Sequence, residues 1–377
     1  MKKTLAVAAV LAAFAGSAAA DVTVYGLVDL GMLYTHSDDG ADSVQMKSGI
    51  DSANRIGFLA SEKIGDVTVG VKLENSFSSD TGKDPTDSFF NRETRLYVKG
   101  AYGEVGFGRF GALDSTTGGH NIAGSRIHAL TGVGNCGDTS GIFLGQNSRL
   151  ANAIAYKSPK FNGFQAHAMY ATAEGDENSH EGDRYYALGA TYDAGAFSAT
   201  FAMSLEDLGD TAPVAGKAGA QIGNVELPKL PLVGQIKVPV TGMPTEAVPH
   251  AKGEETKAYT AGVSYDFGVT KALVAAQYFD NVVHADYGTV DGYGVTVGAV
   301  TPVMGGTLKT QFGYMEAEQV ANAAQEYKAY DLAAAYYYSF SKRTQVYGVM
   351  GYNVKEDKLA KTEKQTFNAG VGMIHNF

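Results

Sequence analysis

Residues 55–74, RIGFLASEKIGDVTVGVKLE, decide how the rest of the chain is to be read. Ile56, Phe58 and Ala60 alternate with Arg55, Gly57 and Ser61; beyond the short connection 63–66, Val67, Val69, Val71 and Leu73 alternate with Thr68, Gly70, Lys72 and Glu74. Period-two alternation with the charges on a single side is the pattern of strands that have one apolar and one wet face. A soluble antiparallel sheet alternates in the same way, so the number, length and closure of the strands must separate the two.

Working outward, the same unit recurs. Residues 22–34, VTVYGLVDLGMLY, put Val24, Gly26, Val28 and Leu30 on one face and Tyr25, Leu27 and Asp29 on the other. Further alternating stretches lie near 91–100, 103–110, 150–157, 163–173, 184–193, 196–205, 256–266, 269–280, 290–301, 306–317, 326–339, 342–354 and 364–377, which makes sixteen in all. Tight connections at 63–66, 100–103, 158–162, 193–195, 266–268, 302–305 and 340–341 take turns with eight longer polar segments. Short turns at one end, longer loops at the other and an even strand number describe an up-and-down outer-membrane barrel, whose strands need about nine to eleven residues to cross at a tilt. In hydrocarbon an open sheet edge leaves backbone groups unsatisfied, so the last strand must pair with the first. The expected fold is all-β, a sixteen-stranded antiparallel transmembrane β-barrel, and barrels of that size enclose an aqueous lumen.

The first twenty residues stand apart. Lys2 and Lys3, an apolar run from Leu5 to Phe14, and Ala18, Ala19 and Ala20 ahead of Asp21 have the layout of a cleaved secretory signal peptide. The expected organisation is thus a leader at 1–20 and one barrel domain at 21–377. Past the leader there is no run of eighteen apolar residues, which excludes a membrane-spanning helix and leaves a barrel open. Cys136 is the single cysteine, so no internal disulfide staples the chain. A formal net charge of −10 argues against a nucleic-acid footprint.

The third long connection, between Arg109 and Arg149, is unusual: nine glycines run from Gly111 to Gly145 with no clear period. A connection of that length is generally functional or disordered, and this one is expected to fold inward and narrow the lumen. Other long segments are acidic (Asp38, Asp39 and Asp42; Asp80, Asp84 and Asp87; Glu174, Asp176, Glu177, Glu181 and Asp183). They read as solvated loops, or alternatively as divalent-cation sites that bridge to lipid phosphates. Residues 206–255 hold six of the nine prolines, which disfavours ladder pairing through most of that segment, though 225–227 and 235–238 could form an external hairpin.

Taken together, VTVYGLVDLG after the leader, NRIGFLASEKIGD, FFNRETRLYVKG followed by YGEVGFGRF, SRLANAIAYKSP and the terminal GMIHNF resemble the trimeric general porins of Gram-negative bacteria, in particular the Neisseria and Burkholderiales type. The resemblance implies a homotrimer in the outer membrane amid lipid and lipopolysaccharide, an inward third loop, a terminal Phe377 read by the barrel assembly machinery, and basic wall residues facing the loop. By motif these are Arg55, Arg92, Arg109 and Arg149. Arg95 joins them by parity, since Leu96 and Val98 facing lipid turn Arg95 and Lys99 inward. Arg126 and Asp114 of the loop complete the expected constriction. Parity works against Arg92 and Arg109, which would need a rim position or a bulge, with Gly108 a place for one. The competing reading of each arginine is a wall residue paired with a carboxylate such as Glu74 or Glu93.

The expected function is passive diffusion of small hydrophilic solutes and ions, with a weak anion preference because the loop sets Arg126, His120 and His128 against only Asp114 and Asp138. Salt should reduce that preference. No cofactor, metal ligand or catalytic residue is expected. Residues 132–137 fit G-x-G-x-x-G, but without the flanking strand and helix of a dinucleotide site. Three rivals remain: a solute-specific channel, for which a lumenal aromatic ladder would be needed and Tyr336, Tyr337 and Tyr338 read instead as girdle; a barrel hydrolase; and an exported soluble β-protein or adhesin.

Overall fold

The computed structural model describes residues 21–377 apart from 39, 41, 85, 87, 117, 133–140, 173–183, 208–223, 227–236, 240–254 and 285. The expected leader, Cys136, Asp138 and the carboxylates of 174–183 therefore lie outside the described residues.

Sixteen strands build the wall: β1 Asp21–Ser37, β2 Arg55–Ile64, β3 Val67–Ser76, β4 Glu93–Gly100, β5 Gly103–Gly111, β6 Arg149–Lys157, β7 Phe164–Thr172, β8 Arg184–Ala194, β9 Phe197–Asp207, β10 Glu255–Asp266, β11 Lys271–His284, β12 Gly288–Val303, β13 Gly306–Gln319, β14 Asn322–Ser339, β15 Thr344–Asp357 and β16 Thr362–Asn376. Each pairs antiparallel with the next. The ring closes where β1 meets β16 from Leu27↔Asn376 to Ser37↔Thr366. Gly26 and Phe377 then exchange both backbone hydrogen bonds at 3.0 Å, so the terminal residue completes the seam.

Alternation sets the two faces. Leu96, Phe107, Ile154, Leu188, Phe201, Val263, Val297, Phe312 and Leu332 are exposed on the outside. Most of their neighbours one residue along are small or polar and buried: Ala153, Ala155, Ala187, Thr200, Ala202, Ser264, Thr296, Gln311, Asp331 and Ala333. An apolar exterior over a polar interior is the arrangement a bilayer demands. Aromatic rings mark its two margins, with Tyr102, Phe161, Phe164, Tyr265, Phe267 and Phe340 beside the tight turns and Tyr186, Tyr259, Tyr278, Tyr293 and Tyr352 toward the other rim. No helix among the described residues is long and apolar enough to cross a membrane.

Three sequence expectations change. The wall is uneven: β2 to β7 run 8 to 10 residues, whereas β11 to β16 run 14 to 18. The taller staves absorb what reads as polar loop, so the last three outer connections, 285–287, 320–321 and 358–361, are short hairpins and not long segments. The first polar segment contains a short strand, Ser43–Ser48, paired to Leu30–Thr35 of β1, which its charged and polar composition concealed. Tyr337 points inward, buried and donating to Asp51 Oδ1 at 2.5 Å, while only Tyr336 and Tyr338 face out; strict alternation cannot put three consecutive tyrosines on one girdle. Within the proline-rich segment, Asn224–Glu226 pairs with Lys237–Pro239.

Candidate functional site

The described residues between Ala112 and Ser148 lie against the inner face. The wall beneath it is flattened by glycine. A Cβ on Gly262 of β10 would stand 2.6 Å from Ile127 Cβ, one on Gly298 of β12 2.7 Å from Ala129 Cβ, and one on Gly313 of β13 2.8 Å from Ile142 Cγ1. Gly189 of β8 and Gly294 of β12 likewise leave room only for Ile122 and for the Ile142 carbonyl. Ile127, Ile142, Phe143 and Leu144 share a buried cluster with Phe279, Val282, Tyr287 and Tyr327.

Polar contacts fasten the same segment. Tyr185 and Ser204 donate to the two Asp114 oxygens at 2.8 and 2.7 Å. The backbone N–H groups of Ala129 and Leu130 both donate to Gln311 Oε1 at 3.1 Å, Thr200 donates to the Ile122 carbonyl at 3.1 Å, and His128 Nδ1 lies 3.0 Å from Thr296 Oγ1. Asp114 is thus a buried anchor; burial raises its carboxyl above the ordinary value despite both hydroxyl donors. Burial pushes His128 down to about 4, and burial together with the Arg95 charge pushes His120 down to about 3, so both imidazoles are neutral near pH 7.

Facing this loop, β1 to β6 carry the charged wall. Arg92 Nε donates to Glu74 Oε1 at 2.6 Å, and Tyr25 donates to Glu74 Oε2 at 2.9 Å. Lys72 pairs with Glu93 at 2.7 Å and approaches Glu74 at 3.7 Å. Arg95 joins Glu93 at 2.8 Å, Glu104, and His120 Nε2 at 2.9 Å, which ties wall to loop. Arg55 Nε donates to the Ala53 carbonyl at 3.0 Å, and Arg109 Nε to the Asn91 carbonyl at 3.0 Å. The charges of Arg92, Arg109 and Arg55 all reach Arg149, whose Nε is buried without a partner.

Four of the sequence-derived residues thus come together: Arg55, Arg92 and Arg149 gather around Glu74, Arg109 lies within reach of Arg149, and Arg95 stands beside them on Glu93. Arg92 reaches the lumen because it precedes β4 instead of alternating within it. The irregularity expected at Gly108 exists, between Gly108 and Phe110, but the extra residue sits on β6, where Asn152 takes φ 50° opposite Arg109. Arg126 lies apart: it pairs with Asp193, which also holds Lys160 at 2.8 Å, beside the 195–196 turn. Asp114 is apart too, against β8 and β9. The pairings of Arg92 with Glu74 and Arg95 with Glu93 are those of the competing sequence reading. Lys72, Glu104, Tyr25 and His120 were not assigned to this wall from sequence. Inward parity flags Lys72, but its pairing needs the β3–β4 register, Lys72↔Arg95 and Glu74↔Glu93. Among the described residues no group of three or more His, Cys, Asp or Glu could hold a metal ion.

Geometry of this kind invites comparison with known proteins. A family model described as Gram-negative porin matches residues 6–358. The chain is 27% identical over 370 residues to outer membrane porin protein 32 of Delftia acidovorans, covering 95% of this chain and 91% of that one. It is 28% identical over 202 residues to the major outer membrane protein P.IB of Neisseria meningitidis serogroup B, covering 52% and 57%. Among solved structures, the anion-selective porin from Comamonas acidovorans superposes with a TM-score of 0.67 at 22% identity over 95% of this chain and all of that one. The trimer form of OmpT from Vibrio cholerae gives 0.58 at 16% identity, with 95% and 100% covered.

Proposed function

The chain belongs to the Gram-negative porin family, and from that premise we propose that its arginine wall gives it a preference for small anions. As a member of that family it is an outer-membrane channel through which small hydrophilic solutes pass by diffusion, and the relatives it resembles are named as porins, not as enzymes.

The observation that carries the preference is the gathering of Arg55, Arg92 and Arg149 around Glu74, with Arg109 within reach of Arg149. Arg92 is neutralised by Glu74; Arg55 and Arg149 have no ion-pair partner among the described residues and supply the uncompensated charge. In a narrow lumen such a charge attracts counter-ions and repels co-ions without binding either. The loop acts as a size limit and Arg95 as its tie to the wall, while Asp114 and Arg126 hold the loop in position. The reading also takes in a leader at 1–20 removed on export, assembly as a homotrimer within lipid and lipopolysaccharide, and recognition of Phe377 by the barrel assembly machinery.

The test is the zero-current potential of single channels across a salt gradient. An anion preference that shifts toward cations in Arg55→Ala with Arg149→Ala supports the proposal. A strong cation preference in the unaltered protein overturns it.

A further inference from the structure

The end of the first connection, residues 49–54, also folds inward, and it is gathered around one carboxylate. Asp29, at the middle of β1, turns its side chain into the barrel and is closed to water. Its Oδ2 accepts the backbone N–H of Asp51 at 2.8 Å and that of Ser52 at 2.7 Å, and its Oδ1 accepts the Tyr347 hydroxyl of β15 at 2.6 Å. The Asp29 backbone holds the same segment: its N–H donates to Asn54 Oδ1, and its carbonyl accepts the Gly49 N–H at 2.9 Å and the Ser79 hydroxyl at 3.1 Å. Between these points Ile50 lies against the wall, where a Cβ on Gly31 would stand 2.7 Å from Ile50 Cδ1. Ile50 shares a buried cluster with Leu33 of β1 and Leu130 of the third loop.

This segment runs straight into Arg55, one of the two wall arginines that supply the uncompensated charge. Ala53, the residue after the two N–H donors, offers its carbonyl to Arg55 Nε at 3.0 Å, and Asn54 is buried with its Nδ2 donating to Ser48 Oγ at 2.5 Å and to Ser79 Oγ at 3.1 Å. From this chain of contacts we infer that Asp29 is a positioning residue for the anion preference: by gathering residues 49–54 it sets the carbonyl that holds Arg55 in the lumen. The inference rests on the anion-preference reading above. A buried carboxylate then supports the selection of anions, the opposite of what its charge does by itself. Without that acceptor two buried N–H groups lose their partner and the segment leaves the wall for water. Arg55, a long side chain with much rotamer freedom to regain, leaves with it. The field of a wall charge fades over about 8–10 Å near physiological salt, so a guanidinium spread over many positions acts more weakly on passing ions than a fixed one.

The experiment is the zero-current potential of single channels in a potassium chloride gradient. In Asp29→Ala the anion potential should shrink most of the way to that of Arg55→Ala, although a negative charge has been removed. Combined with Arg55→Ala it should add no further loss, because its effect passes through that side chain. Asp29→Asn should restore the preference: its amide oxygen still accepts both N–H groups and its NH2 donates to the Tyr347 oxygen. Ser52→Pro removes one of the two N–H donors without altering a charge or a wall strand, and should reproduce the loss. An undiminished or larger anion potential in Asp29→Ala, or in Ser52→Pro if the first variant does not fold, overturns the inference and spares the anion-preference reading. So does an equal loss from Asp29→Ala when Arg55 is already alanine. If the unaltered channel shows no anion preference, that reading falls and this inference with it.

Discussion

Arg92 reaches across the start of β4 to place its Nε 2.6 Å from Glu74 Oε1, and both side chains are almost closed to water. The pair subtracts one positive charge from a wall that otherwise has an excess, so Glu74 sets how basic that wall is. Glu74→Gln should strengthen anion preference, read as a larger zero-current potential in a salt gradient. It should also lower the temperature at which the heat-modifiable band is lost, because a guanidinium left alone in a buried site costs about 3–5 kcal/mol in full burial, and lumen water relieves part of that.

Gly294 supplies a second, opposite lever. A methyl group there would run into the Ile142 carbonyl and stand 2.9 Å from Phe143 Cδ1. Overpacking of this kind costs about 1–3 kcal/mol, and the loop can yield where the ladder-bonded strand cannot. Gly294→Ala should therefore lift the loop from the wall, with higher and noisier single-channel conductance and new proteolytic cleavage between residues 112 and 148. Unchanged conductance would mean that β12 yields instead.

Acid should loosen the same loop. Docked, His128 and His120 titrate near 4 and 3; free in water they would titrate near 6.5. As pH falls below 6.5 the released loop takes up protons that the docked loop refuses, so each histidine tilts the balance toward release by up to about 1.4 kcal/mol per pH unit until its docked value is reached. Asp114 works in the opposite sense, since burial raises its docked value and acid favours its docked form. With two groups against one, closures and reopenings in single-channel records should become more frequent between pH 6.5 and about 4. His120→Gln with His128→Gln should remove that rise.

Tyr336 and Tyr337 are neighbours with different fates. Tyr337 donates to Asp51, in the segment behind the short strand Ser43–Ser48, whereas Tyr336 donates to the Val303 and Met304 carbonyls at an exposed turn. Tyr337→Phe should lower barrel stability by about 1.5–3 kcal/mol, the value of a hydrogen bond to a charged group. Tyr336→Phe should change it little. Thermal loss of the folded band in detergent compares the two directly.

These tests depend on features that were legible in the sequence to different degrees. Alternation such as Val67, Val69, Val71 and Leu73 against Thr68, Gly70, Lys72 and Glu74 is local, and with the turn residues it was enough for sixteen strands and their order. Strand ends were less legible. Residues 280–290 or 354–364 continue the alternation with polar groups on both faces, because above the membrane both faces meet water and the pattern that marks a strand disappears. In the site, inward parity pointed to Arg55 and Arg95, but the partners of Arg92, Arg95 and Lys72 follow from register, which no single strand encodes. The extra residue beside Arg109 was legible only as a glycine at 108, while the residue that bears the left-handed backbone is Asn152 on the facing strand.

The glycine flats beneath the loop have one more consequence, and it concerns time. They come from β8, β10, β12 and β13, spread along the chain from Gly189 to Gly313, whereas the loop that rests on them ends at Ser148. The loop therefore cannot seat against its own neighbours in the chain: whatever the order in which the staves join, β8, β10, β12 and β13 must all stand in place before all the flats exist, so the bore is set only by the docking of a segment onto a surface made from a later part of the chain.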